Sequence, residues 1–177
     1  MSTIPRQILI IRHGEKPGDP ANDDAVSDVN LSTRGYERAG ALAPYIPATF
    51  GAPDFLFATQ ASKHSNRPVE TITPLAAALN LTIDAKHADD DYPQLADELL
   101  SNAKYAGKLV LICWHHGKIP KLTAALGGIP PVAKWPDTVF DLVWQINYTE
   151  GTTTPANIPV PSIPQMLLYG DSSSSSG

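Results

Sequence analysis

Three stretches of this chain are apolar without alternation: Ile8–Ile11, "DFLFAT" at 54–59 and "KLVLICW" at 108–114. Short continuous runs of this kind suit parallel strands buried on both faces. A fourth stretch, "TVFDLVWQINY" at 138–148, behaves differently. Phe140, Leu142, Trp144 and Ile146 alternate with Asp141, Val143 and Gln145, which predicts a more peripheral strand with one wetter face.

Helical patterns fill the spaces between. "LSTRGYERAGALAPYI" offers Ser32 or Thr33 as an N-cap and a run of helix formers expected to end before Pro47. In "SNRPVETITPLAAALN", Val69, Ile72, Ala76 and Leu79 lie at helical spacing behind Asn66 as a cap, and Pro74 is expected to interrupt or kink the helix. "DDDYPQLADELL" has Asp91 and Gln94 at capping-box spacing and Leu95 and Leu99 four apart. "KIPKLTAALGG" ends on Gly127–Gly128, as a helix C-terminus does. The late, proline-rich "TTTPANIPVPSIPQ" is neither a regular helix nor a central strand, and is expected to lie extended on the domain. Apolar residues of "MLLYG" would dock after it.

Strands alternating with helices predict an α/β protein: a three-layer α/β/α sandwich around a mostly parallel sheet. The expected division is one domain over residues 1–170 and a flexible Ser-rich tail over 171–177. Ligands of such sheets bind beyond the carboxyl ends of the strands. Two of the apolar runs lead to histidine there, Ile8–Ile11 into Arg12-His13-Gly14-Glu15 and Leu109–Trp114 into His115-His116.

Charge narrows what this edge can do. The 177-residue chain carries 18 acidic and 13 basic residues, a net charge of −5, which argues against nucleic acid or an anionic membrane as partner. An anion site must therefore be built locally. The single cysteine, Cys113, excludes an intrachain disulfide, and no run approaches the roughly 20 apolar residues of a membrane span. The opening residues do not read as a signal peptide. The expectation is a soluble, cytoplasmic protein.

Arg12, His13, Arg67 and the 115–116 pair suit phosphoryl transfer. A neutral imidazole is a nucleophile near neutral pH, and guanidinium forks grip phosphate. Adjacent strand residues face opposite ways, so Gly14 is expected to loosen the turn and bring Arg12 and His13 to one pocket. Arg67, before Pro68 at a helix start, would reach an anion that also meets that helix's N–H groups. His115 or His116 would complete the set. A metal hydrolase built on Cys113, His115 and His116 is disfavoured, because His116 faces away from the other two in a strand and no H-x-x-x-H helix accompanies them. Tyr36, Leu42 and the tryptophans read as core, Trp135 as a partly exposed packing residue, and His64 and His87 as surface.

Four pieces occur in order over residues 8 to about 126: "IIRHGE", "LSTRGYERAGAL", "SNRPVETITPLA" and "GKLVLICWHHGKI". Together they resemble the motifs of the histidine phosphatase superfamily, in its phosphoglycerate-mutase-like branch. The resemblance implies that fold and a phosphatase acting through a phosphohistidine on His13. Arg12 and Arg67 would clamp the phosphate together with a second histidine. His116 is selected for that role because Gly117 follows it, while strand length and Ile119 favour His115. The family's acid is often a glutamate twenty to thirty residues past the second arginine. This chain has Asp89, Asp90 and Asp91 there, of which Asp90 is selected as catalytic. No cofactor or metal is implied, and the expected partner is a small phosphorylated substrate. The alternatives are a phosphoglycerate-mutase-type transferase, for which so short a chain has little room for a lid, and a non-catalytic phosphate-binding module.

Overall fold

A computed structural model describes residues 3–18 and 28–172. Strand β1 (Gln7–Arg12) leads through helix α1 (Thr33–Phe50) to β2 (Phe55–Ala58), and helix α2 (Arg67–Leu79) leads to β3 (Ile83–Asp84). A 3-10 turn at Asp89–Asp91 opens helix α3 (Tyr92–Ser101), followed by β4 (Leu109–Trp114) and helix α4 (Ile119–Ala125). Strands β5 (Gly128–Ile129), β6 (Leu142–Asn147), β7 (Ile158–Pro159) and β8 (Ser162–Pro164) complete the order.

The main sheet runs β3-β2-β4-β1-β6-β8. Its first four strands are parallel, and β6 lies antiparallel to β1. The apolar runs are buried on both faces because successive residues enter different cores. Ile8, Ile10, Val110, Ile112 and Trp114 pack with Leu95 and Leu99 of α3 and Ile119 and Leu122 of α4. Leu9, Ile11, Leu109, Leu111 and Cys113 pack with Leu42 and Ile46 of α1 and Ile72 and Leu75 of α2. These are the three layers. Adjacent β1 and β4 send their following helices to opposite faces, which opens a crevice at their carboxyl ends.

Local departures from the sequence pattern have identifiable causes. Ser32 caps α1 by accepting from the Gly35 N–H at 3.1 Å, yet the helix continues through Pro44 and Pro47 to Phe50. Burial of Leu42 and Ile46 outweighs the lost backbone bonds. Helix α2 likewise runs through Pro74, and Asn66 makes no side-chain cap. Strand β6 is not the sheet edge, because Ser162–Pro164 of the proline-rich segment pairs with it as β8. Leu167 packs on the core beyond it, whereas Met166 and Tyr169 are exposed. Tyr36 is 50% exposed, and Trp135 is fully buried with its ring 4.8 Å from that of Trp144. Of the expected tail, Asp171 and Ser172 bond to the domain, and residues 173–177 lie outside the described residues.

Candidate active site

The ladder between β1 and β4 pairs Arg12 with Trp114 and continues one step further. The His13 N–H donates to the Trp114 carbonyl at 3.2 Å, which sets His13 beside His115. Their rings meet edge to face at 5.2 Å. Around them opens a cavity of about 440 Å³. Arg12, His13, Arg67, His115 and His116 all line it, with Asp89, Ser65, His64 and Lys16. Asp90 does not.

His13 Nδ1 lies 2.7 Å from the Gly14 carbonyl. A carbonyl only accepts, so Nδ1 carries the proton and Nε2 keeps its lone pair. Burial first, and the Arg12 charge second, hold His13 well below the usual imidazole range, so the ring is neutral at pH 7. Gly14 serves by its size, having no positive φ. A Cβ there would lie 2.9 Å from the Gly35 carbonyl, and one on Gly35 would strike the Glu15 carbonyl. The loop after β1 and α1 thus touch backbone to backbone. The Gly14 N–H also donates to Thr71 Oγ1 at 2.8 Å, and that hydroxyl donates to the Arg67 carbonyl at 2.7 Å, which ties the loop to the first turn of α2.

Arg12 is 1% exposed. Its Nη1 donates to the carbonyls of Pro136, Asp137 and Val139, and its guanidinium lies 3.8 Å from the centre of the Phe140 ring. Nothing in the sequence pattern had marked "WPDTVF" as part of the site. Arg67 Nη1 donates to the Asp28 carbonyl at 2.8 Å, while its buried Nε has no hydrogen-bond partner. Burial lowers its pKa, and Glu70 and Asp28 oppose that shift.

The two histidines after β4 diverge. His115 faces His13, and burial, followed by the charge of Arg67, pulls its pKa down to about 4. His116 turns its Nε2 to Asp137 Oδ1 at 3.0 Å. The aspartates diverge as well. Asp90 has a side chain 83% exposed and pairs with Lys118 at 2.8 Å. Asp89 is half-buried in the cavity wall, its Oδ1 has no hydrogen-bond partner, and burial raises its pKa, with Lys118 opposing. Glu15, next to this site in sequence, is buried outside it, paired with Arg34 and Arg38. Cys113 packs in the core, and among the described residues no cluster of three or more His, Cys, Asp or Glu side chains could hold a metal ion.

A mostly parallel sheet with one antiparallel neighbour of β1, and a cavity where β1 and β4 end, is the phosphoglycerate-mutase-like α/β fold. Solved structures of this fold superpose on the chain along most of its length. A protein histidine phosphatase SixA complexed with tungstate matches with a TM-score of 0.61 and 17% identity, over 90% of this chain and 97% of that one. A mycobacterial glucosyl-3-phosphoglycerate phosphatase complexed with VO3 matches with a TM-score of 0.59 and 17% identity, over 89% and 97%. A phosphoglycerate mutase from Bacillus anthracis str. Sterne matches with a TM-score of 0.53 and 15% identity, over 88% and 93%. At these identities the likeness is one of fold. No protein-family model matches the sequence, and no curated protein does. No helix among the described residues is long and apolar enough to cross a membrane.

Proposed function

We propose that the protein is a metal-independent phosphatase that hydrolyses small phosphomonoesters through a phosphohistidine on His13. One observation carries the reading: a buried, neutral His13, its Nδ1 proton committed to the Gly14 carbonyl, shares a cavity with two arginines and a second imidazole. Nε2 attacks phosphorus as the bond to the leaving oxygen breaks, and that oxygen takes a proton. Phosphorylation leaves the ring cationic, and the Gly14 carbonyl, accepting from Nδ1–H, steadies that charge. Water then attacks phosphorus, the N–P bond breaks, and Nε2 recovers its lone pair. Arg12 and Arg67 neutralise the non-bridging oxygens.

The geometry supports His115 over His116 as the second imidazole, because it faces His13. Neutral in the empty cavity, His115 offers the phosphate an N–H. A bound dianion opposes the Arg67 charge that depresses its pKa. The geometry likewise supports Asp89 over Asp90 as the acid. A carboxyl that burial keeps protonated to higher pH can donate to the leaving oxygen, and its conjugate base can then take the proton of the attacking water. Such an acid in the wall favours turnover over mere binding. Alkali-quenched labelling with a phosphate donor tests the reading: acid-labile, alkali-stable label is expected on the wild type in excess chelator and none on His13→Ala. Label persisting in His13→Ala would refute it.

A further inference from the structure

Arg12 ends β1, but the strand does not fix its guanidinium. Nη1 donates to the carbonyls of Asp137 at 2.7 Å, Val139 at 2.9 Å and Pro136 at 3.3 Å. One irregular segment therefore holds this end of the fork and helps to set its direction. That segment is anchored at two places. On the inner side, buried Trp135 donates from Nε1 to the Val139 carbonyl at 2.8 Å, and the Val139 N–H closes onto the Pro136 carbonyl at 3.2 Å. On the solvent side the anchor is His116 Nε2 on Asp137 Oδ1, at 3.0 Å. Asp137 is thus at once the nearest acceptor for Arg12, through its carbonyl, and the residue His116 grips, through its side chain.

We infer that His116 and Asp137 form a latch that positions Arg12 for the phosphoryl group. They are positioning residues acting through the guanidinium, and the inference rests on the proposed phosphatase reading. Electrostatics alone makes the opposite prediction. A carboxylate beside an anion cavity repels the anion, so deleting it would tighten binding. Loss of the latch would loosen it.

The test measures orthovanadate affinity, kcat and KM for p-nitrophenyl phosphate, and melting temperature, in the full chain. Asp137→Ala is expected to weaken vanadate and to lower kcat/KM about tenfold, mostly in kcat, with unchanged melting. Asp137→Asn keeps an acceptor for His116 and is expected to restore most of the loss. The double variant His116→Ala/Asp137→Ala is expected to be no worse than either single one, as for one coupled contact. Tighter vanadate binding in both Asp137 variants, or additive losses, would overturn the latch. Arg12→Lys separates the two levels. If it loses vanadate while Asp137→Ala matches wild type, the latch alone fails. If Arg12→Lys binds vanadate like wild type, the anion does not sit at Arg12 and the reading beneath the latch fails too.

Discussion

Arg12 and Arg38 are equally hidden, each 1% exposed, and their surroundings assign them different work. Arg38 on α1 is saturated by carboxylates. Glu15 and Asp171 bind it at 2.7 Å, and Gln165 accepts at 2.9 Å. These partners raise its already high pKa against the cost of burial. Its charge is cancelled in place, so it acts as a rivet between the loop after β1, α1 and the C-terminal segment. Arg12 gives its Nη1 to the carbonyls of Pro136, Asp137 and Val139 and lines the cavity beside His13, Arg67 and His115. Placement at the cavity wall, more than the depth of burial, separates a structural guanidinium from one suited to an incoming anion.

The contrast can be broken from either end. The largest effect is expected for Arg38→Met. Removing the shared partner of two buried carboxylates should cost about 3 kcal/mol of unfolding free energy in denaturant titrations. Next, Arg12→Lys should lower kcat/KM on an aryl phosphate by about 10²–10³, the scale of a lost transition-state clamp, with little change in stability. If Arg12→Lys cost stability and spared activity, the two arginines would not differ as argued. Asp89→Asn should slow alkyl phosphates by about 10² and nitrophenyl phosphate far less, since only the poor leaving group needs the acid.

The contrast also has a signature in pH. His115, held at about 4, refuses a proton that the unfolded chain accepts from about pH 6.5 downward. Stability of the empty protein should therefore fall as pH drops from about 6.5 towards 4, and His115→Gln should flatten part of that slope. Asp171 is held below its ordinary carboxylate range despite burial, chiefly by Arg38. Its contribution is present above that ordinary range and is lost only as pH falls further. Thermal melts across pH would separate the two regions by where each fails.

Strands and layers were legible in the sequence because four buried runs and their helices obey simple periodicities. Pro47 misled as a helix stop, since tertiary burial carried α1 through it to Phe50, and α2 is likewise not interrupted at Pro74. The cationic part of the site was legible because Arg12, His13 and Arg67 sit at element ends. That His115 rather than His116 faces His13 followed from the strand register, which carries the pairing of Arg12 with Trp114 one step on to His13 and His115. Choosing among three consecutive aspartates needed the direction of a 3-10 turn. The segment at 135–140 had no periodicity and reads the arginine through backbone carbonyls, which any residue supplies.

The central position of β1 also governs the order of assembly. Its neighbours, Leu109–Trp114 and Leu142–Asn147, follow it by about a hundred residues or more, so this strand stays unpaired while much of the polypeptide is being synthesised. Pairings this distant in sequence form slowly, and an exposed Ile-Leu-Ile-Ile edge is prone to stick to other nascent chains.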